Sequence, residues 1–275
     1  MSASDRARAQ AQPGTEAVNR PRQDMTLVVE DLHKSFGGVQ AVAGVSLSVR
    51  AGELLALIGP NGAGKSTCFN MLNGQLRPDR GRIVLKGQDI AGLPPRRIWR
   101  LGVGRTFQIT ATFASMSVLE NVQMALLSHA RRLFDIWNPV RREDPARALA
   151  LLERVGMAAQ AERPCGVLAY GDLKRVELAI ALAHDPVLLL MDEPTAGMAP
   201  AERVALMELT AGIARNSGIA VLFTEHDMEV VFAHADRILV LDRGRPIAEG
   251  EPAQVRADPR VREVYLGTGA THGIA

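Results

Sequence analysis

The chain has 275 residues, 47% of them hydrophobic and 23% charged, an ordinary balance for one large globular domain or two modest ones. Its 32 basic and 30 acidic residues leave a net charge of +2, which gives no support to a nucleic-acid-binding protein. No apolar stretch approaches the roughly 20 residues of a membrane helix, and the N-terminus lacks the apolar core of a secretory signal, so we expect a soluble, cytosolic chain.

The first part of the chain reads as a tail followed by strands. Residues 1–24 are rich in Ala, Arg, Gln and Pro without periodicity, and we expect them to form a disordered tail. Apolar patterns then predict strands at 27–32, 45–49 and 53–58. Phe36 ends a short polar stretch, where an aromatic ring could stack on a purine or could simply cover a sheet edge.

A glycine-rich loop follows the third of these strands and leads into a helix. Gly59, Gly64, Lys65 and Ser66 fit the pattern G-x-x-x-x-G-K-[ST] of the phosphate loop. Such a loop curls its backbone N–H groups inward, and with the positive end of the helix they bind phosphate oxygens. The pattern predicts that Lys65 reaches the β- and γ-phosphates of a nucleotide and that the Ser66 hydroxyl binds Mg²⁺.

Residues 109–185 change character, because strand signals vanish and helical periods take over. Helices are predicted at 118–127 and 145–155, with an arginine-rich insertion at 128–144 between them. Residues 168–172, Leu-Ala-Tyr-Gly-Asp, then begin another helix that runs to Ala183. Taken alone, this segment predicts a capped helix and nothing more.

Two buried strands in the last third of the chain end in titratable side chains. Residues 187–191 are uninterrupted apolar residues followed by Asp192 and Glu193, and residues 219–224 precede His226. Carboxylates at the carboxyl end of a buried strand are costly unless a metal or an activated water compensates for them. The alternation of strands and helices predicts an α/β fold with a mainly parallel sheet and an antiparallel portion near the N-terminus.

These motifs occur in a fixed order that resembles the ATP-binding subunits of ATP-binding cassette (ABC) transporters over residues 26–266. Gly59–Thr67 resembles Walker A, Gln108 the Q-loop glutamine, 168–172 the signature motif, 187–193 Walker B and His226 the switch histidine. The resemblance is finer to the LivG type, the ATPases of branched-chain amino-acid importers. It is carried by Gly-Arg-Thr-Phe-Gln at 104–108, the long insertion, the signature variant, Glu-His-Asp-Met at 225–228 and the tail at 258–267.

The resemblance implies the fold and domain organisation of an ABC ATPase. It implies a P-loop NTPase core with a mainly parallel sheet, an antiparallel N-terminal β portion and a helical subdomain. The core would comprise 25–108 and 186–250, the helical signature subdomain 109–185 and a C-terminal helical extension 251–275.

It also implies roles for individual residues, with ATP and Mg²⁺ as the cofactors. Glu193 would be the general base, assisted by His226 and Gln108, and Mg²⁺ would be held by Ser66, Gln108 and Asp192. The nucleotide would contact Phe36, Asn61, Gly62, Gly64, Lys65, Ser66 and Thr67, and, from the signature motif of a facing subunit, Ala169, Tyr170, Gly171 and Asp172.

The partners implied by the resemblance are transmembrane permease subunits, a second related ATPase subunit in a heterodimer and, indirectly, an extracytoplasmic solute-binding protein. The chain would then lie peripherally on the cytoplasmic face of the cell membrane. Alternatives are an importer of the same type for urea, short amides or another small solute, a soluble ABC ATPase acting on nucleic acid or the ribosome, and a small-molecule P-loop kinase.

The sequence departs from the general ABC pattern at two places. The usual serine of the signature motif is Ala169, so a hydroxyl contact to the γ-phosphate is missing and backbone donors around Tyr170, Gly171 and Asp172 must carry more of that role. The aspartate usual in the loop after Walker B is replaced near Met198 and Ala199. This second change leaves open how the two ATP sites of a dimer communicate.

Overall fold

A computed structural model describes residues 25–106, 112–129 and 145–266. The predictions for the tail at 1–24, for Gln108 and for most of the insertion at 128–144 lie outside the described residues. The division into domains is not tested by the structure and stays a prediction.

The described residues form ten strands and nine α-helices. The strands are β1 Met25–Phe36, β2 Val39–Arg50, β3 Leu54–Ile58, β4 Arg80–Leu85, β5 Gln88–Asp89, β6 Val103–Thr106, β7 Leu188–Asp192, β8 Ala220–Thr224, β9 Arg237–Asp242 and β10 Arg245–Gly250. The helices are α1 Lys65–Leu72, α2 Pro95–Arg100, α3 Val118–His129, α4 Pro145–Arg154, α5 Tyr170–Leu182, α6 Pro200–Ser217, α7 Met228–His234, α8 Pro252–Ala257 and α9 Pro259–Leu266. None of the helices in the described ranges is long and apolar enough to cross a membrane.

One sheet is antiparallel, with the strand order β2-β1-β4-β5. Its first two strands are longer than the sequence predicts, since β1 and β2 remain paired up to the turn, where Phe36 faces Val39. Register shifts, including one between Val29 and Leu32, interrupt the inward–outward alternation along β1. The alternation of apolar and polar residues that predicts a strand is therefore clear only where β1 and β2 pair without a register shift.

The second sheet has the order β10-β9-β3-β8-β7-β6, and all its neighbouring strands are parallel except the β9–β10 hairpin. This arrangement confirms the predicted α/β class with a mainly parallel core sheet and an antiparallel β portion from the N-terminal part of the chain. Strands β3 and β8 are buried along their whole length, which explains their uninterrupted apolar sequences.

The central strand β3 is fixed by packing on both of its faces. Leu54, Ala56 and Ile58 belong to a core cluster that also includes residues of α3 to α9. Leu55 and Leu57 point to the other face, into a cluster formed with α1 and the antiparallel sheet. Since β3 is held from both sides, the loop that follows it starts from a rigid support.

Candidate active site

The candidate site lies at one edge of the parallel sheet. Strands β3, β8 and β7 are consecutive neighbours and run parallel, so their carboxyl ends meet at the same edge. The phosphate loop follows β3, Glu193 follows β7, and His226 follows β8 closely. The topology thus brings together three motifs that are far apart in the sequence, as is usual for ligand sites of open α/β sheets.

The phosphate loop leads directly into α1, which begins at Lys65. Gly64 precedes the helix with a φ of 102°, and its carbonyl accepts a hydrogen bond of 3.0 Å from the N–H of Cys68. The carbonyl of Ala63 accepts from the N–H of Gly244 at 3.0 Å, which ties the loop to the β9–β10 turn. The first N–H groups of a helix have no acceptor within it, so the start of α1 offers donors to an anion.

Lys65 lies between this loop and the acidic end of β7. Its side chain is 8% exposed, and Nζ donates to the carbonyl oxygens of Gly59 at 2.6 Å and Pro60 at 3.2 Å. Burial lowers the pKa of the Lys65 ammonium, and the nearby carboxylates of Glu193 and Asp192 oppose this by raising it. The positive charge of Lys65 therefore interacts favourably with both carboxylates.

The Asp192 carboxylate is held on both of its oxygens. Oδ1 accepts a hydrogen bond of 2.7 Å from the hydroxyl of Thr224, the last residue of β8. Oδ2 lies 3.5 Å from Nη2 of Arg105, whose guanidinium also donates to Oε1 of Gln75 at 3.1 Å. These contacts fix the orientation of the carboxylate toward the site.

Glu193 follows Asp192 with an unusual backbone conformation. Its φ is 50°, a left-handed value that costs a non-glycine residue about 1–3 kcal/mol. Its N–H donates to the carbonyl and to the hydroxyl oxygen of Thr224, both at 3.1 Å. Its Oε1 lies 2.8 Å from Nε2 of His226, and because a carboxylate only accepts, the imidazole donates in this pair.

Three residues that support the site do not follow from the sequence patterns: Thr224, Arg105 and Glu225, whose carboxylate accepts hydrogen bonds from the N–H groups of Thr195 and His226. The apolar pattern predicts Thr224 only as the end of a strand, and Arg105 and Glu225 enter only through the resemblance to the LivG type. A threonine or glutamate at the buried carboxyl end of a parallel strand is a usable signal, because such a group needs a partner there. The hydrogen bonds of Thr224 to both Asp192 and Glu193 could be known only from the pairing of β7 with β8.

Other predicted nucleotide contacts lie on the surface. Phe36, at the end of β1, is 47% exposed, and the Lys34 ammonium lies 5.6 Å from the centre of its ring. Asn61, Gly62 and Ser66 are exposed, and Thr67 is partly exposed. The structure therefore leaves these positions accessible to a ligand.

The signature motif forms the start of α5. Ala169 occupies the position before the helix with φ −62° and ψ 153°, and Tyr170 is 41% exposed. The Asp172 carboxylate accepts a hydrogen bond of 3.1 Å from Nε2 of Gln160. Gly171 is buried, and a Cβ at this position would lie 2.9 Å from Oε1 of Glu202. The start of α5 therefore lies at the surface, and Glu202 packs against its backbone at Gly171.

A buried ion pair supports α5 one turn further on. Lys174 Nζ lies 2.9 Å from Oε2 of Glu177, and both side chains are at most 5% exposed. The same ammonium lies 5.3 Å from the centre of the Tyr170 ring. The pair therefore links the body of the helix to the exposed tyrosine of the signature motif.

Replacing Glu177 by alanine is expected to lower the free energy of unfolding by about 3–5 kcal/mol, because the buried Lys174 ammonium loses its carboxylate at 2.9 Å. Chemical denaturation followed by circular dichroism measures the loss. The control is the double variant Lys174→Met with Glu177→Leu, which removes both charges and should cost no more than about 1–2 kcal/mol. A double variant as unstable as the single one would contradict the electrostatic explanation.

A cavity of about 230 Å³ lies beside the site, between α2, β6 and α5. Its lining consists mostly of apolar and aromatic side chains, with Arg105 among the polar exceptions. The rings of Trp99 and His184 are 5.0 Å apart in its wall. Arg105 therefore faces the cavity on one side and contacts Asp192 on the other.

Comparison with known proteins agrees with this geometry. A family model described as "ABC transporter" matches residues 42–196, and one described as "Branched-chain amino acid ATP-binding cassette transporter" matches residues 245–271. The chain is 41% identical over 248 residues to the high-affinity branched-chain amino acid transport ATP-binding protein LivG of Salmonella typhimurium, covering 88% of this chain and 97% of that protein. It is 40% identical over 248 residues to BraF of Pseudomonas aeruginosa, with the same coverage.

Solved structures show the same fold. A nucleotide-free ATP-binding cassette from an ABC transporter superposes with a TM-score of 0.78 at 34% identity, covering 88% of this chain and 98% of the other. The ADP conformation of an ATP-binding cassette of an ABC transporter superposes with a TM-score of 0.79 at 33% identity, covering 88% and 99%. The chain belongs to the ATP-binding cassette family of ABC transporters, and within it to the LivG type.

Proposed function

We propose that this chain hydrolyses ATP to power the uptake of branched-chain amino acids through partner transmembrane subunits. The observation that carries the proposal is the pairing of Glu193 with His226 at 2.8 Å, beside Asp192 and opposite Lys65, at one edge of the sheet. The solute follows from the names of the relatives, since this chain does not itself contact the solute in a transporter of this type.

ATP binding is assigned to the exposed face of the phosphate loop. The start of α1 and the Lys65 ammonium would bind the phosphates, and the exposed ring of Phe36 would stack on the adenine. The residues also fit Mg²⁺, which prefers oxygen ligands and is usually held by a few protein oxygens together with phosphate oxygens and water. Asp192, Ser66 and Gln108 would supply these oxygens, and the ion would neutralise charge on the phosphates.

Hydrolysis is assigned to Glu193. Its carboxylate would accept a hydrogen bond from the attacking water and withdraw the proton as the water oxygen bonds to the γ-phosphorus. The bond from the γ-phosphorus to the β–γ bridging oxygen would break at the same time, so that ADP and phosphate are released. The His226 imidazole, which is 51% exposed, would release Glu193 and orient the γ-phosphate. The left-handed backbone of Glu193 aims the carboxylate at the site, and Thr224 maintains that conformation through its two contacts with the Glu193 N–H.

A dimer is needed to complete each site. In the arrangement implied by the family, the exposed start of α5 faces the ATP bound to the other subunit. Ala169 provides no hydroxyl there, so backbone groups of Tyr170, Gly171 and Asp172 would make the contact. We propose a heterodimer with a related ATPase, on the cytoplasmic face of the membrane, with an extracytoplasmic binding protein delivering the solute.

The cavity beside Arg105 is proposed as the docking place of a transmembrane subunit. Its lining joins α5, from the predicted helical subdomain, to α2 and β6 of the core. A helix of the permease that inserts an apolar side chain there would contact both parts of the ATPase at once. Because Arg105 also contacts Asp192, occupation of the cavity could be transmitted to the metal-binding side of the site.

The test is co-purification from gently solubilised membranes with the Glu193→Gln variant in ATP and Mg²⁺. We expect two different membrane subunits and a second ATPase to be recovered, and radiolabelled leucine, isoleucine or valine to bind the associated solute-binding protein. Recovery of the same assembly with a binding protein for urea or short amides would overturn the solute assignment alone. Recovery of ribosomes or nucleic acid without membrane subunits would overturn the transport function.

A further inference from the structure

Glu225 is a buried carboxylate directly beside the candidate active site, with a set of partners from two loops. Its side chain is 4% exposed. Oε1 accepts hydrogen bonds from the backbone N–H of Thr195 at 2.8 Å and from the Thr195 hydroxyl at 2.7 Å. Oε2 accepts from the backbone N–H of His226 at 3.2 Å. One side chain therefore binds the loop after β7 and the loop after β8.

The two loops joined by Glu225 carry the two residues whose contact defines the site. Thr195 is two residues after Glu193, and His226 is the residue next to Glu225. The Glu193–His226 contact itself is partly exposed, since these side chains are 25% and 51% accessible. Water can compete with a hydrogen bond at such a position, whereas the bonds of Glu225 lie in the interior, where they are stronger.

Keeping Glu225 ionised at this buried position, close to another carboxylate, costs free energy. Burial raises the pKa of the Glu225 carboxyl, the hydrogen bonds from Thr195 and His226 lower it, and the negative charge of Glu193 raises it. A small neutral side chain would avoid both unfavourable effects, but it could not accept from both loops at once. A carboxylate has two oxygens and about four acceptor positions, which is enough for the three donors present.

A second contact joins the same two loops nearby. Arg203 donates from Nε to the carbonyl of Met198 at 2.7 Å and from Nη1 to Oδ2 of Asp227 at 2.6 Å. Asp227 in turn caps α7 by accepting from the N–H of Glu229 at 3.0 Å. The loop after Glu193 is thus attached to the segment around His226 at both of its ends, at Thr195 and at Met198.

We propose that Glu225 is a positioning residue for ATP hydrolysis, which holds Glu193 and His226 in register by binding Thr195 and the His226 backbone together. The inference rests on the proposed function of Glu193 and His226. Within one subunit, Glu225 and Arg203 also connect the loop after Glu193 to the segment around His226, although the aspartate usual in that loop is absent.

The first test measures ATP binding and single-turnover hydrolysis for Glu225→Ala in the full chain. We expect the hydrolysis rate to fall about ten- to hundredfold, because misplacing a catalytic group by about 1 Å has an effect of this order. The dissociation constant for ATP should change less than about threefold, because Glu225 has no part in the nucleotide pocket. The matched control is Glu229→Ala, which removes an exposed glutamate from the same part of the chain and should leave both quantities unchanged.

A double-mutant cycle separates positioning from general destabilisation. If Glu225 acts through His226, adding Glu225→Ala to His226→Ala should lower the remaining rate by less than about threefold. Equal loss in both backgrounds would overturn the proposal. Thr195→Val is a milder variant, because it removes the hydrogen bond from the Thr195 hydroxyl and keeps the one from the backbone N–H. It should show part of the loss in hydrolysis rate, and it provides the test if Glu225→Ala folds poorly.

Hydrogen exchange without nucleotide tests the link independently of hydrolysis. Glu225→Ala should increase amide exchange at both 193–199 and 225–230, and the β9–β10 hairpin should exchange as in the unmodified protein. Increased exchange at 225–230 alone would overturn the link between the loops. A protein in which His226→Ala hydrolyses ATP normally but Glu225→Ala loosens both loops would instead contradict the proposed function and leave the structural link standing.

Discussion

Replacing Glu193 by glutamine is expected to lower the rate of ATP hydrolysis by about 10²–10³-fold while leaving ATP binding intact. In the unmodified protein His226 Nε2 lies 2.8 Å from the Glu193 carboxylate. The glutamine amide has the same size and keeps an oxygen that can accept this hydrogen bond. It cannot accept a proton from water, so the catalytic contribution is removed without disturbing the fold. Release of phosphate in single-turnover experiments measures the rate, and equilibrium binding of a fluorescent ATP analogue measures the affinity.

Glu229→Gln is the matched control for this variant. It makes the same chemical change at an exposed glutamate in the first turn of α7, and it should leave the hydrolysis rate within about twofold of the unmodified protein. A Glu193→Gln protein that still turned over ATP within about threefold of normal would exclude Glu193 as the base. The assignment would then have to move to another group at this edge of the sheet.

The position of Glu193 could be predicted from the sequence because a simple topological rule applies to it. An uninterrupted apolar run predicts a strand buried on both faces, and the carboxyl ends of parallel strands collect at one edge. Asp192, Glu193 and His226 all follow such runs, and the structure places them together. The order of the strands does not follow from periodicity, so their proximity to Lys65 depended on the resemblance to a known family.

The polar residues that support the site could not be predicted in the same way. Thr224 and Glu225 lie at the end of a strand, where a threonine is also favoured by its β-branched side chain and a glutamate is usually exposed. Their roles depend on which strand lies beside β8 and on its exact register, in which Asp192 faces Thr224. Contacts of this kind arise from tertiary pairing, which has no local signal in the sequence.

The conformation of the phosphate loop depends on the absence of a side chain at Gly64. Gly64→Ala should lower the melting temperature by about 5–15 °C, the equivalent of about 2–5 kcal/mol. Part of this cost is the left-handed backbone, with φ 102°, and part is a collision between the added Cβ and the carbonyl oxygen of Ala41. Relief of the collision must displace the start of α1, so ATP affinity should fall by at least about tenfold.

A variant at Gly62 separates the cost of the left-handed backbone from the cost of the collision. Gly62 also has a positive φ, but it has no neighbouring atom like the Ala41 carbonyl oxygen. Its φ is 81°, and a Cβ there would meet no atom within 4 Å. Gly62→Ala should therefore cost only the conformational part, about 1–2 kcal/mol, or about 2–6 °C in melting temperature. If the two variants melted at the same temperature, the approach of Gly64 to Ala41 would not constrain the loop. A larger loss for Gly64→Ala would mean that the antiparallel sheet, through β2, fixes the geometry on which phosphate binding depends.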